Sequence, residues 1–96
     1  MIRGTLDIQK LSNLGGRTNV YQVHFEELAG GSYDASMSEA EVEDLLYNKL
    51  RLEMEVGDLH AVIDELKRTG RVTLENIEVD EAELMNSGLV YLPYAG

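Results

Sequence analysis

His24 and His60 are the two histidines of this chain, and with eighteen carboxylates they make up its stock of acid–base and metal-ligating groups. No His-x-x-x-His or His-Glu-x-x-His spacing places them on one helical turn, so the sequence builds no local zinc site. Cysteine is absent, which removes thiolate ligands, cysteine nucleophiles and disulfides together. The carboxylates invite comparison with a calcium loop. Such a loop needs alternating oxygen ligands, a central glycine for the sharp turn and a closing glutamate. Neither DASMSEAEVEDL nor ENIEVDEAELM has that glycine. A pair of acids at glycosidase distance carries no information in a chain this rich in acids.

The phosphate-binding and nucleophile motifs are also missing. Gly15-Gly16 and Gly30-Gly31 lack the further glycines of a dinucleotide loop or a P-loop, and turn formation accounts for both. No serine sits in a Gly-x-Ser-x-Gly elbow. Ser38 has Glu41 three residues on and reads as a helix cap. No catalytic residue, metal ligand or cofactor is therefore expected, and the chain reads as a non-enzymatic protein.

The elements that would hold such groups follow from periodicity. Residues 2–11 and 18–26 alternate apolar and polar with a period of two, around the turn-forming SNLGGR, and predict a β-hairpin. Residues 27–37, ELAGGSYDASM, show no period and read as a loop. Val42, Leu45, Leu46 and Leu50 predict a helix capped at Ser38 and running to about Met54. Gly57 is expected to break it, and Asp58 to cap the next helix. Leu59, Val62, Ile63 and Leu66 give that second helix, over 59–69, with Gly70 as its terminator. Residues 71–79 read as a strand whose phase slips, which predicts a bulge or bend near Glu75–Asn76. A turn or two of helix over 80–86 and a short strand at Leu89–Leu92 follow, with Pro93 ending regular pairing.

The expectation is one α+β domain over 1–96 in β-β-α-α-β-(α)-β order. It is a two-layer sandwich, an antiparallel sheet with two helices packed on one face. Its core is predicted to hold Leu6, Ile8, Tyr21, Val23, Phe25, Val42, Leu45, Leu46, Leu50, Leu59, Val62, Ile63, Leu66, Val72 and Leu74.

Charge narrows the partners. Eight bases against eighteen acids leave a net charge of -10, which disfavours nucleic acid and anionic membranes alike. The order helix, break, helix, RVTLENIEV resembles a winged helix-turn-helix only in sequence of elements, since the basic footprint is missing. No apolar run approaches a membrane span, and MIRGTLDIQK lacks a signal-peptide stretch, so a cytoplasmic protein is expected.

The excess acid is concentrated. Glu39, Glu41, Glu43 and Asp44 fall in the first helix, and Glu78, Asp80, Glu81 and Glu83 near the C-terminal end. Such groups either keep a small domain soluble or form a docking surface for a basic partner protein. Apolar residues also exceed what one helix stripe and one sheet face need. The surplus is Tyr47, Leu52 and Val56 around the first helix, and Leu89, Val90, Tyr91, Leu92 and Tyr94 near the C-terminus; Tyr47, Leu52, Val56, Leu89, Tyr91 and Tyr94 are the candidates for a self-association interface. The expected function is a small acidic interaction domain that forms a homodimer and docks a basic protein. The alternative is an accessory domain with a small-ligand pocket between helices and sheet.

Overall fold

The computed structural model describes residues 1–11 and 19–93. It is a mixed α+β fold built on one five-stranded antiparallel sheet. Strand β1 (Ile2–Leu11) pairs with β2 (Val20–Glu27) in the expected hairpin register, Leu6 opposite Phe25 and Ile8 opposite Val23. The expected SNLGGR turn lies outside the described residues.

The segment 27–37, expected to be a loop, contains a third strand, β3 (Ser32–Ser38). The β2–β3 turn is made by Gly30 and Gly31, whose φ of 106° and 87° only glycine adopts without strain. Tyr33 then faces Phe25 and Met37 faces Tyr21 across the pair. The strand's alternation was hidden because Ser32, Ala35 and Ser36 are too small to mark a face.

Helix α1 (Glu39–Asp44) opens with the expected capping box. Ser38 Oγ accepts from the Glu41 amide at 3.2 Å, and Glu41 Oε1 accepts from the Ser38 amide at 3.1 Å. The helix does not run to Met54. It widens into a π-helical turn over Leu45–Lys49, marked by the Leu50 amide donating to the Leu45 carbonyl at 3.0 Å, and ends there. The stop is Arg51, at φ 52°, and not Gly57. Helix α2 (Val56–Thr69) begins before that glycine and carries Gly57 and Asp58 inside its first turn. Glu55 stands at its N-cap, without a side-chain cap. Gly70 ends α2 at φ 82°, as expected.

Strand β4 (Arg71–Val79) carries the predicted bulge. Leu74 pairs with Leu6 and Ile77 with Gly4, so Glu75 and Asn76 oppose Thr5 alone, and Asn76 takes φ 55°. Helix α3 (Glu81–Asn86), capped by Asp80, leads to β5 (Val90–Leu92). The strand order is β4-β1-β2-β3-β5.

One face of the sheet is covered. Leu6, Ile8, Tyr21, Val23, Phe25, Tyr33 and Val72 form one cluster with Val42, Leu45, Leu46, Leu50, Ile63, Leu66 and Leu84 from the helical layer. Of the residues expected in this core, Val62 and Leu74 are only half-buried. Among the described residues no helix is long and apolar enough to cross a membrane.

The two buried tyrosines make an alkaline prediction. Burial, and then the Glu39 carboxylate, pushes the Tyr21 phenol up; burial and a hydrogen bond to Glu81 do the same for Tyr33. Both therefore hold their protons in the fold above the ordinary tyrosine value of about 10, at which the unfolded chain loses them. Their contribution is intact below that pH and is lost as pH rises above it. The Tm should thus fall across about pH 10–11, with the 295 nm absorbance of these two phenolates appearing only on unfolding. A Tm flat over that range would contradict the burial of both.

Candidate functional site

The other face of the sheet is open and polar. Asp7, His24 and Asp34 lie side by side across β1, β2 and β3, with Thr73 and Val90 completing the row on β4 and β5. They sit outward because they alternate with the core residues Leu6, Val23 and Tyr33. His24 Nδ1 lies 2.6 Å from Asp34 Oδ1, and its Nε2 is 3.9 Å from Glu26. An ionised Asp34 only accepts, so the imidazole proton sits on Nδ1 when the ring is neutral. Ser32 Oγ donates to the second Asp34 oxygen at 3.3 Å. Asp7 is held by Arg71 through two contacts at 3.1 and 3.3 Å, and by Thr73 Oγ1 at 3.0 Å. The pair His24–Asp34 can orient an imidazole, but it lies on the open sheet face and its hydrogen bonds among the described residues reach no further than Ser32. His60 stands apart on α2, its Nδ1 2.6 Å from the Tyr47 hydroxyl and its ring edge-on to that tyrosine. Among the described residues no three His, Asp or Glu side chains converge enough to hold a metal ion.

The candidate acidic docking residues are largely engaged within the chain. Lys67 of α2 reaches Glu39 at 3.4 Å and Glu43 at 3.2 Å; these contacts, Glu43's first, hold its ammonium pKa up. Glu41 closes the capping box. Asp44 accepts from Asn48 at 2.8 Å, Asp80 caps α3 through the Ala82 amide at 2.9 Å, and Glu78 pairs with Arg3 at 2.8 Å. Glu81 faces the Tyr33 hydroxyl, and Glu83 is half-buried. Glu41 and Asp44 of α1, Lys49 after it, and Asn86 and Ser87 at the end of α3 line one shallow cleft of about 210 Å³.

The candidate interface residues fall in different places. Tyr47 and Leu52 pack half-buried on the core, and Leu89 is enclosed in it. Val56 is exposed at the start of α2. Tyr91 is 42% exposed, with its ring 4.8 Å from that of Tyr33, and Tyr94 lies outside the described residues. Val90 and Leu92, surplus apolar groups of the same C-terminal segment, lie where the sequence predicts contact with a second copy. They are 63% and 53% exposed and sit on the open face, opposite Asp34 and Ser32. Their alternation with Tyr91 was the available signal; that β5 is an edge strand was not available from the sequence.

The two edges of the sheet differ. The outer edge of β4 is interrupted by the Asn76 bulge and carries Arg71, Glu75 and Glu78, all devices that discourage pairing. The outer edge of β5 carries Val90, Tyr91 and Leu92 and no charge.

The chain matches no protein-family model, and comparison with curated proteins and with solved structures gives no significant match.

Proposed function

We propose that this protein is a non-enzymatic interaction domain that self-associates through the β5 edge. The observation that carries the reading is the asymmetry of the edges: β4 is guarded by a bulge and by charge, whereas β5 presents three exposed apolar side chains beside backbone that has no partner strand among the described residues. A two-fold pair of antiparallel β5 strands would extend the sheet into a second copy, matching Val90 and Leu92 of one protomer with Leu92 and Val90 of its partner. Docking of a basic protein on the acids of α1 and α3 is a second, separable property, supported by the net charge of -10. A chain without cysteine suits a reducing compartment such as the cytoplasm.

Light scattering at micromolar concentration decides the first reading. A mass of twice 10.7 kDa is expected, falling to 10.7 kDa for the V90K/L92K variant with its Tm otherwise retained. Two lysines facing their symmetry mates would repel across the new pair. A mass of 10.7 kDa across a roughly hundredfold dilution series of the native chain would refute it.

A further inference from the structure

A cleft of about 230 Å³ lies between the β1–β4 pair and the segment that leads into α2. We infer that this cleft binds a small monocarboxylate with an apolar body, its carboxylate held by Arg51. The inference is independent of the β5 edge.

Backbone geometry singles out this place. Among the described residues two non-glycine residues have positive φ, Arg51 at 52° and Asn76 at 55°, and both line the cleft. Asn76 has a local reason: it sits in the β4 bulge, and asparagine tolerates the left-handed region. Arg51 has none. It occupies the position just after the π-helical turn, where glycine is the usual residue and where a side chain is strained. What the strained residue contributes is a guanidinium on the cleft. That group has no ion-pair partner among the described residues. Arg3 also lines the cleft, but its donors are committed to Glu78 at 2.8 Å and to Asn76 at 3.1 and 3.3 Å.

The remaining lining sets the ligand class. Leu52, Met54 and Ile77 offer an apolar surface for the ligand body. Glu53 and Glu78 stand on the same cleft, and the protein is net -10, so a doubly charged phosphate or dicarboxylate meets about twice the repulsion that a single carboxylate does. One guanidinium satisfies one carboxylate through two parallel hydrogen bonds. The volume is below the ~300–1,000 Å³ of sites for drug-sized ligands, which limits the body to a short chain or a single ring.

Hexanoate, hexanamide and inorganic phosphate, titrated into ¹⁵N-labelled protein at physiological salt, test this. Hexanoate should saturably shift the amides of Arg51–Met54 and Asn76–Glu78, while hexanamide and phosphate should not. Arg51→Asn removes the cation but keeps a residue that accepts the backbone conformation. It should weaken hexanoate roughly tenfold or more with its Tm unchanged. Arg51→Lys, a point charge without the fork, should fall between. Equal shifts by hexanamide, saturable shifts by phosphate, or undiminished hexanoate binding in Arg51→Asn would overturn the inference. So would a Tm lowered by more than a few degrees in both Arg51→Asn and Arg51→Gly, since Arg51 would then serve the fold.

Discussion

Replacing Gly4 with alanine is expected to destabilise the protein by about 3 kcal/mol or more, enough to shift the urea midpoint far below that of the native chain. Gly4 is buried on β1, between Glu27 on β2 and Ile77 at the β4 bulge. A β-carbon there would stand 2.0 Å from the Glu26 carbonyl oxygen and 2.9 Å from Cζ of Phe25. Neither separation is tolerable, and the two obstructions differ in kind. The phenyl ring can turn aside; the carbonyl belongs to the β2 backbone and moves only if the β1–β2 pairing opens. Phe25→Leu should therefore not rescue Gly4→Ala. A domain of this size holds about 5–15 kcal/mol in all, so the change removes more than half of the native stability if that value is at the low end. An alanine variant within 1 kcal/mol of the native chain would show that β1 and β2 lie farther apart than described.

Leu46→Ala is expected to cost about 2–5 kcal/mol in the same urea measurement. Leu46 is fully enclosed in the π-helical turn, and its side chain belongs to the cluster that joins the helical layer to the sheet. Truncation leaves a cavity that this turn cannot easily close, because Leu45 and Leu50 beside it are equally buried. Leu28→Ala provides the contrast. Leu28 is 79% exposed beyond β2, and its truncation should stay within about 0.5 kcal/mol. A loss below about 1 kcal/mol at Leu46 would mean that the helical layer presents a different face to the sheet.

Both residues show where the chain was legible and where it was not. The β1–β2 hairpin was readable because large apolar groups alternate with charged or polar ones along both strands. The β4 bulge was readable because Val72 and Leu74 fall out of phase with Ile77 and Val79. Strand β3 was not, since its inward set is Tyr33, Ala35 and Met37, and what makes it a strand is the register it finds on β2. The leucines at 45, 46 and 50 declared a buried helix, but its end at Arg51 depends on a π-turn that no apolar period reports. At the surface the limit is of another kind. The acids of α1 looked unbalanced because Lys67, which meets Glu39 and Glu43, arrives from another helix. Leu89 looked surplus because α3 and the core that enclose it are assembled from distant segments. Val90 and Leu92 looked surplus as well, but only the place of β5 at one side of the sheet shows which edge they border.

The position of β1 has a kinetic consequence. The first strand of the chain is an interior strand of the sheet, flanked by β2 in the hairpin and by β4, so its second ladder joins Gln9 to Arg71 and Ile2 to Val79. On a ribosome, β1, β2 and β3 can meander together from local contacts, and α1 can cap itself, well before β4 has been made. Until then β1 offers an unsatisfied row of amides and carbonyls beside its apolar side. The closure that hides them spans roughly sixty residues, a high contact order for so short a chain, and such closures are slow. Slow synthesis through residues 50–70 would lengthen the interval in which the β1 edge is open to other chains, whereas the finished protein keeps that edge covered.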